Sequence, residues 1–407
     1  MNPLHLPAFR AYLALRFFMA TGWHMQATVV AWRVYDLTKD PLTLGMVGLA
    51  EAIPAIGAAL PMGYIVDKME KRRAARIASM LIIVSAVATG LLVQPWCATA
   101  LGTNTTVTAI LSMIVLNGFA RSIYSPAMFS TLGAVVPRDI MSRATATASG
   151  TWQAAMVTGP LLGGVIYGAF GVLTASIAIV VLMLLGAAGS IFLPRIPAVA
   201  GGERGRLRDD LTQGLRFIFK NPIIFGALSL DMFAVLFGGA VAVLPVFADV
   251  ILHVDASGLG ALRAAPSLGS VAMMAWLSVH PFERRVGHVL LFSIAGFGLA
   301  TIAFALSHSF WLSLALLVLV GGFDAVSVVV RHTVLQLHTP EEMRGRVAAA
   351  NTMFISSSNE LGAVESGIAA RFLGLVPSVV LGGCMTLIVV AVVAWKVPAL
   401  RRLENFR

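Results

Sequence analysis

The sequence predicts an all-α membrane protein with twelve transmembrane helices in two pseudo-symmetric six-helix bundles. Three observations predict it: an apolar composition, a strict alternation of basic loops, and an internal repeat. The 407 residues are 58% hydrophobic and 12% charged, with mean hydropathy +0.87. A soluble domain is about 25% charged. No soluble core could hold this much apolar side chain, so lipid must cover part of it.

Apolar runs long enough to cross a bilayer fall at residues 11–35, 43–66, 74–95, 107–129, 141–168 and 171–193, and again at 222–249, 257–280, 287–306, 310–332, 343–370 and 376–396. The first run carries Arg16 and lacks a small-x-small cleavage site, so it reads as a retained span and not a signal peptide. Between the sixth and seventh runs the composition shifts. There "AGGERGRLRDD" is polar and "LTQGLRFIFK" has the pattern of an amphipathic helix lying on a membrane face. The expected organisation is a bundle over 1–193, a cytoplasmic linker over 194–221 and a second bundle over 222–407.

Lys and Arg set the orientation. The loops after spans 2, 4, 6, 8 and 10 contain "DKMEKRR", "PRDIMSR", "RIPAVAGGERGRLRDDLTQGLRFIFK", "ERR" and "EEMRGR", whereas the opposite loops hold little more than Lys39 and Arg371. Both termini are therefore expected in the cytoplasm, and the brief loops favour a bacterial inner membrane. The same asymmetry accounts for the net charge of +10 without a nucleic-acid partner; the expected partners are the bilayer, a small molecule and protons, with the chain as a monomer. Cys97 and Cys384 have no ligand neighbours at metal-binding spacing, so no metal and no cofactor is expected.

The halves repeat. Placing "RATATASGTWQAAMVTGPLLGG" (143–164) on "RVAAANTMFISSSNELGAVESG" (346–367) matches Arg143 to Arg346, Gly159 to Gly362 and Gly164 to Gly367. Spans 2 and 8 match Pro54 to Pro266 and Gly57 to Gly269. A parallel six-helix repeat is the mark of a transporter with two moving halves.

Charges inside the spans are the candidate machinery, because one at a helix centre costs about 2.5–3.5 kcal/mol on insertion scales. The bases are Arg16, Arg33, Arg121, Arg263 and Arg331; the acids are Glu51, Asp231, Asp324, Glu360 and Glu365, with Asp249 near an end. Arg33, Arg331 and Asp249 read as interfacial ties. The repeat sets Arg121 opposite Asp324 and Glu51 opposite Arg263, so the halves carry complementary signs. Glu360 and Glu365 lie about 140° apart on a helix, each on a stripe of small or polar residues. At least one of them is expected to carry a proton or contact substrate. Glu365, Glu360, Asp231, Arg121 and Asp324 are the proton-coupling candidates, and Arg16, Trp23, His24, Gln26, Glu51, Arg263 and Asn359 the substrate-cavity candidates. Packing is the competing role for His24 and the aromatic residues.

"GYIVDKMEKRR" resembles the helix 2–3 signature of the major facilitator superfamily at Gly63, Asp67, Lys68, Lys71 and Arg72, departing from it at Glu70. "TGPLLGG" resembles the Gly-Pro motif of its drug–proton antiporters through Gly159, Pro160, Gly163 and Gly164. "LDMFAVLFGGAVAVLPVFA", "LRAAPSLGS", "LQLHTPEEMRGRVAAAN" and "SSNELGAVESG" look like the branch that contains the enterobactin exporter and macrolide efflux proteins. The resemblance implies a conformational gate at both sets of motif residues, with the glycines kinking span 5 and Asp67 seated at a helix start. It also ties Arg121 to proton coupling.

The leading expectation is a secondary active transporter, a proton-coupled exporter of a small organic molecule such as a siderophore. A multidrug or macrolide pump is the alternative, and a non-transporting receptor or lipid-handling protein is the reading from another class. No Gly-x-x-x-x-Gly-Lys-Ser/Thr loop and no nucleophile–base constellation occurs, so neither ATP hydrolysis nor another enzymatic activity is expected.

Overall fold

A computed structural model describes residues 3–195, 207–280, 285–340 and 343–404; the side chains of Asp67 and Glu360 lie outside the described residues. Among those residues every regular element is helical. The first part of the chain forms α1 (Pro7–Thr38), α2 (Pro41–Gly57), α3 (Ala59–Lys68), α4 (Lys71–Leu92), α5 (Pro95–Leu101), α6 (Thr103–Val135) and α7 (Met141–Gly189). Then follow α8 (Leu207–Lys220), α9 (Pro222–Gly238), α10 (Leu244–Val246), α11 (Ala256–Val279), α12 (Val286–Ala305), α13 (Phe310–His338), α14 (Arg344–Leu373), α15 (Leu375–Lys396) and α16 (Pro398–Arg401).

Four expected spans differ in detail. Span 2 is interrupted at Ala58, one turn after Pro54, which cannot donate the helical hydrogen bond and crowds the preceding turn. Spans 5 and 6 form one 49-residue element, α7, whose only non-helical residue is Gly171 (φ 81°). The backbone stays helical through Pro160, so the break sits at Gly171 and not at the Gly-Pro motif. Span 7 ends as a regular helix at Gly238 and continues through a 3-10 turn, α10 and a π turn at Phe247–Ile251, around Pro245.

Caps follow ordinary chemistry. Asn221 accepts from the Ile223 and Ile224 amides at 3.1 and 3.3 Å, with Pro222 at the first helical position, so α9 starts where the linker ends.

The chain divides into two compact units. One comprises Met1–Lys39, Met46–Glu203 and Val254–Ala264; the other comprises Asp40–Gly45, Arg204–His253 and Ala265–Arg407. In unit 1, α1 packs along α7 and α4 along α6, around Phe9, Tyr12, Leu15, Met128 and Met183. In unit 2, α12 packs on α13 and α15, and α9 on α14 and α15, around Leu230, Leu290, Val330 and Val334.

The repeat is visible in backbone detail. The register that places Arg143 on Arg346 also places Gly171 on Gly374, and both have positive φ (81° and 89°), turning one span into the next. Such φ values strain any residue with a Cβ. It also places Gly118 on Gly321. Gly118 of α6 lies against Glu51 O and Pro54 of α2, while Gly321 of α13 lies against Pro266 of α11, the residue matched to Pro54. Among the described residues seven helices are apolar and long enough to cross a membrane on their own account. Outward side chains such as Phe129 (83% exposed) and Trp311 (75%) have the character of a lipid-facing surface. α1, α11 and α14 are long enough to span but fall outside that apolar set, and they carry most of the candidate polar residues.

Candidate functional site

Helical spacing puts Arg16, Met19, Ala20 and Trp23 on one face of α1. Arg16 is held at both edges of its guanidinium: Nε donates to Ala148 O at 3.1 Å and a terminal nitrogen to the Tyr12 hydroxyl at 3.3 Å. Its centre lies 5.3 Å from the Trp152 ring. Arg121 of α6 lies 4.4 Å over the Trp23 ring. The two indoles meet edge to face at 6.0 Å, and His24 stacks on Trp23 at 5.6 Å and edges Trp152 at 5.4 Å. Two cation–π contacts thus bracket an aromatic cluster, each worth about 0.5–2 kcal/mol according to its exposure.

The carboxylate of this cluster is Glu51, 3.5 Å from Arg121. The missing Cβ of Gly118, one turn before Arg121, admits the α2 backbone and brings Glu51 within reach. Arg263 donates to Ala27 O at 2.8 Å, and its electrostatic neighbour is Glu51. His24 in turn lies in the field of Arg263 and Arg121. Arg121 and Arg263 therefore face Glu51, and Arg16 brings a third guanidinium to the aromatic cluster through Trp152. A recess opens beside it, lined by Met19, Ala20, Trp23, Ile82, Asn117, Arg121, Tyr124 and Trp152. The Tyr124 hydroxyl, His24 Nε2 and Gln26 Oε1 are buried there or nearby without a hydrogen-bond partner among the described residues.

Unit 2 has the opposite sign. Asp231 of α9 and Arg331 of α13 form an ion pair sealed from solvent, the residues 6% and 2% exposed. This corrects the interfacial reading of Arg331: α13 runs on to His338, so Arg331 is well inside the helix. Asp324 and Glu365 are partly buried, and neither makes a hydrogen bond or ion pair among the described residues. The complementarity read from the repeat takes a different form from a matched set of pairs. Glu51 is paired with Arg121, its neighbour in unit 1, and that pair has no counterpart among the described residues of unit 2.

The remaining candidates lie apart from these clusters. Asn359 is exposed and donates to Ile355 O of its own helix at 3.0 Å. In the α3–α4 turn, Lys68 lies 4.2 Å over the Tyr64 ring, buried Lys71 donates to Val66 O at 3.1 Å, and Arg72 donates to Ile191 O at 2.8 Å. Among the described residues no atom beyond its own helical turn lies within 4 Å of where a Gly63 Cβ would be. Gly159 packs on Thr21 and His24, Gly163 on Met25, and Gly164 on Ala256 and Gly260 of α11; in unit 2, Gly367 packs on Pro41 and Gly45.

Sequence reasoning passed over Tyr124 and Asn117, although both lie one helical turn from Arg121 on its face. It also passed over Asp40, which caps α2 through the Leu42 amide at 3.2 Å and pairs with Arg371 at 3.1 Å. The run Asp-Pro-Leu-Thr carries a legible N-cap signal.

The family profile described as Major Facilitator Superfamily matches residues 12–354. The enterobactin exporter of Citrobacter koseri is 26% identical over 372 residues, covering 89% of this chain and 85% of that protein. Two solved structures share the fold at 11% identity each. A POT family transporter in complex with a thioalcohol-conjugated peptide matches with TM-score 0.74 over 96% of both chains. A bacterial homologue of the iron transporter ferroportin, in an inward-facing state, matches with TM-score 0.73 over 97% of this chain and 98% of its own. With polar helices that hold charge inside apolar bundles, a two-fold repeat of helix contacts, and a profile match over most of its length, the chain belongs to the Major Facilitator Superfamily and is a multi-pass membrane transporter.

Proposed function

We propose that the protein is a proton-coupled exporter of a small organic anion of the siderophore kind, acting by alternating access in a bacterial inner membrane with both termini in the cytoplasm. The observation that carries this reading is the concentration of guanidinium in unit 1: Arg16, Arg121 and Arg263 gather about one aromatic cluster. A cationic cluster at membrane depth is costly unless a ligand or pathway uses it, and an anionic substrate supplies the missing charge. The enterobactin exporter relative supports the same substrate class.

Coupling falls to unit 2. A proton carrier must change charge during the cycle, and breaking a sealed ion pair to do so strands its partner. Asp231 is fixed in this way by Arg331, which leaves Glu365 first and Asp324 second as carriers. The turn around Gly63 and Arg72 and the Gly159–Gly164 motif serve as conformational elements of the same cycle. The two unpaired carboxylates also favour one second reading, efflux of cationic drugs.

Transport into inverted membrane vesicles with an acidified lumen tests both. The expected result is accumulation of an anionic catechol- or hydroxamate-bearing siderophore that collapses with the pH gradient. Accumulation of a cationic dye without the anion would select the drug-efflux reading and overturn the proposal.

A further inference from the structure

We infer that the elbow between α8 and α9 is a binding surface for the headgroup of an anionic phospholipid, held by Arg216 and Lys220. The inference is independent of what the protein carries, and needs only that α9 opens a membrane span. α8 has one face seated and one to spare. On the seated face Ile218 is fully buried with Ile224, Leu335 and Val347. Gly214 lets α8 settle on the start of α14, where a Cβ would lie 2.6 Å from Arg346 O. Arg346 then donates to the Gln213 side chain at 2.7 Å. That seating decides which residues point away.

Arg216, Phe219 and Lys220 are exposed, at spacings of three and four that make them neighbours on a helix surface. Phe219 (61% exposed) meets Phe225 of α9 (39%) at 5.3 Å between ring centres. Two rings left outside the core belong at headgroup level, where one end of a side chain is wet and the other apolar. Asn221 caps α9 and Pro222 opens it, so the pair straddles the point where the chain turns into its span. The cations stand beside these rings. Their stems can lie along apolar surface while the charged ends reach a phosphate. Neither makes an ion pair or side-chain hydrogen bond among the described residues. Asp209 and Asp210 lie in the first turn of α8, about 9 Å or more along the axis from Arg216. A soluble phosphate would use the cations alone; the paired rings beside them fit a phosphate that arrives on a lipid.

The test titrates the purified full chain, stripped of lipid in detergent, with phosphatidylglycerol or phosphatidylcholine and reads bound lipid by native mass spectrometry. Other basic loops also attract anionic lipid, so variants decide the site. The tightest phosphatidylglycerol is expected to bind at least about tenfold more tightly than phosphatidylcholine, with about fivefold lost for each of Arg216→Gln and Lys220→Gln. The charge-keeping pair Arg216→Lys with Lys220→Arg should retain it. Phe219→Ser should weaken it while leaving any binding of water-soluble glycerol phosphate unchanged. Equal phosphatidylglycerol binding by the wild type and the double Gln variant would overturn the site. Glycerol phosphate binding as tightly as the lipid would overturn the lipid as its occupant.

Discussion

The two units solve the problem of charge inside a membrane in opposite ways. Unit 1 gathers Arg16, Arg121 and Arg263 about one aromatic cluster and leaves the Glu51–Arg121 pair partly open, at 3.5 Å and with side chains 19% and 34% exposed. Unit 2 seals its deep arginine onto Asp231 and leaves Asp324 and Glu365 with no partner among the described residues. The backbones repeat so closely that Gly118 and Gly321 perform the same helix crossing. The fold therefore does not dictate the chemistry. A repeated scaffold carries residual charge of one sign in one unit and of the other sign in the second, and only that residue-level difference separates an anion-binding surface from a proton-exchanging one.

The sharpest way to break this comparison is to attack the two ion pairs. Removing one partner of a sealed pair strands a buried charge, at about 3–5 kcal/mol. Asp231→Ala and Arg331→Ala should each lower thermal stability by that amount, measured by unfolding of the purified protein in detergent. Replacing both at once, Asp231→Leu with Arg331→Met, should recover most of the loss. Glu51→Gln, at the more open pair, should cost about 1 kcal/mol or less. Equal losses at Glu51 and Asp231 would erase the contrast between the units.

A smaller effect on the fold, but a diagnostic one on function, comes from neutralising the unpaired charges. Arg16→Gln and Arg263→Gln each remove a charged donor worth about 1.5–3 kcal/mol, so anion affinity should fall about tenfold or more. Glu365→Gln and Asp324→Asn break no ion pair among the described residues, so stability and anion affinity should hold. If either residue carries the proton, its variant should still bind and exchange substrate yet fail to accumulate it against a pH gradient. Accumulation that survives both neutral substitutions would remove these carboxylates from coupling.

Most of the fold was legible because it rests on local signals. Apolar length marks spans, Lys and Arg mark sides, and the repeat fixes which glycines correspond. The breaks were less legible. Gly171 has the same one-letter identity as dozens of other glycines, and only the backbone shows that its φ is positive. In the candidate site the residue types were readable and their pairing was not. Arg121 could be matched by repeat to Asp324, yet it pairs with Glu51, because Gly118 lets α2 approach α6 at that level. Arg331 looked terminal only because the apolar run ends early, whereas the helix continues through Thr333 and Gln336. Tertiary proximity decides such pairings, and a single sequence does not encode it in any local pattern.

The smallest expected effect separates glycines that let helices pack within each unit from one that does not. Gly159 and Gly362 are matched by the repeat, and at both a Cβ would press on a neighbouring helix: on His24 Cβ at 2.6 Å and Thr21 O at 2.8 Å in unit 1, and on Val235 O at 2.9 Å and Leu236 O at 3.0 Å in unit 2. Alanine at either site is overpacking and should cost about 1–3 kcal/mol. The functional consequences should differ, because Gly159→Ala displaces His24 beside the arginine cluster, while Gly362→Ala moves α9 backbone in unit 2. Anion affinity should therefore fall in the first variant and hold in the second. Gly63 is the control. Among the described residues no atom beyond its own helical turn lies within 4 Å of its Cβ position and it sits inside α3, so Gly63→Ala should raise helix stability by at most about 1 kcal/mol. Its thermal unfolding should be unchanged or slightly higher. A loss of transport in Gly63→Ala at unchanged stability would mean that this glycine serves a second conformation of the α3–α4 turn, since packing in the present one gives it no steric role.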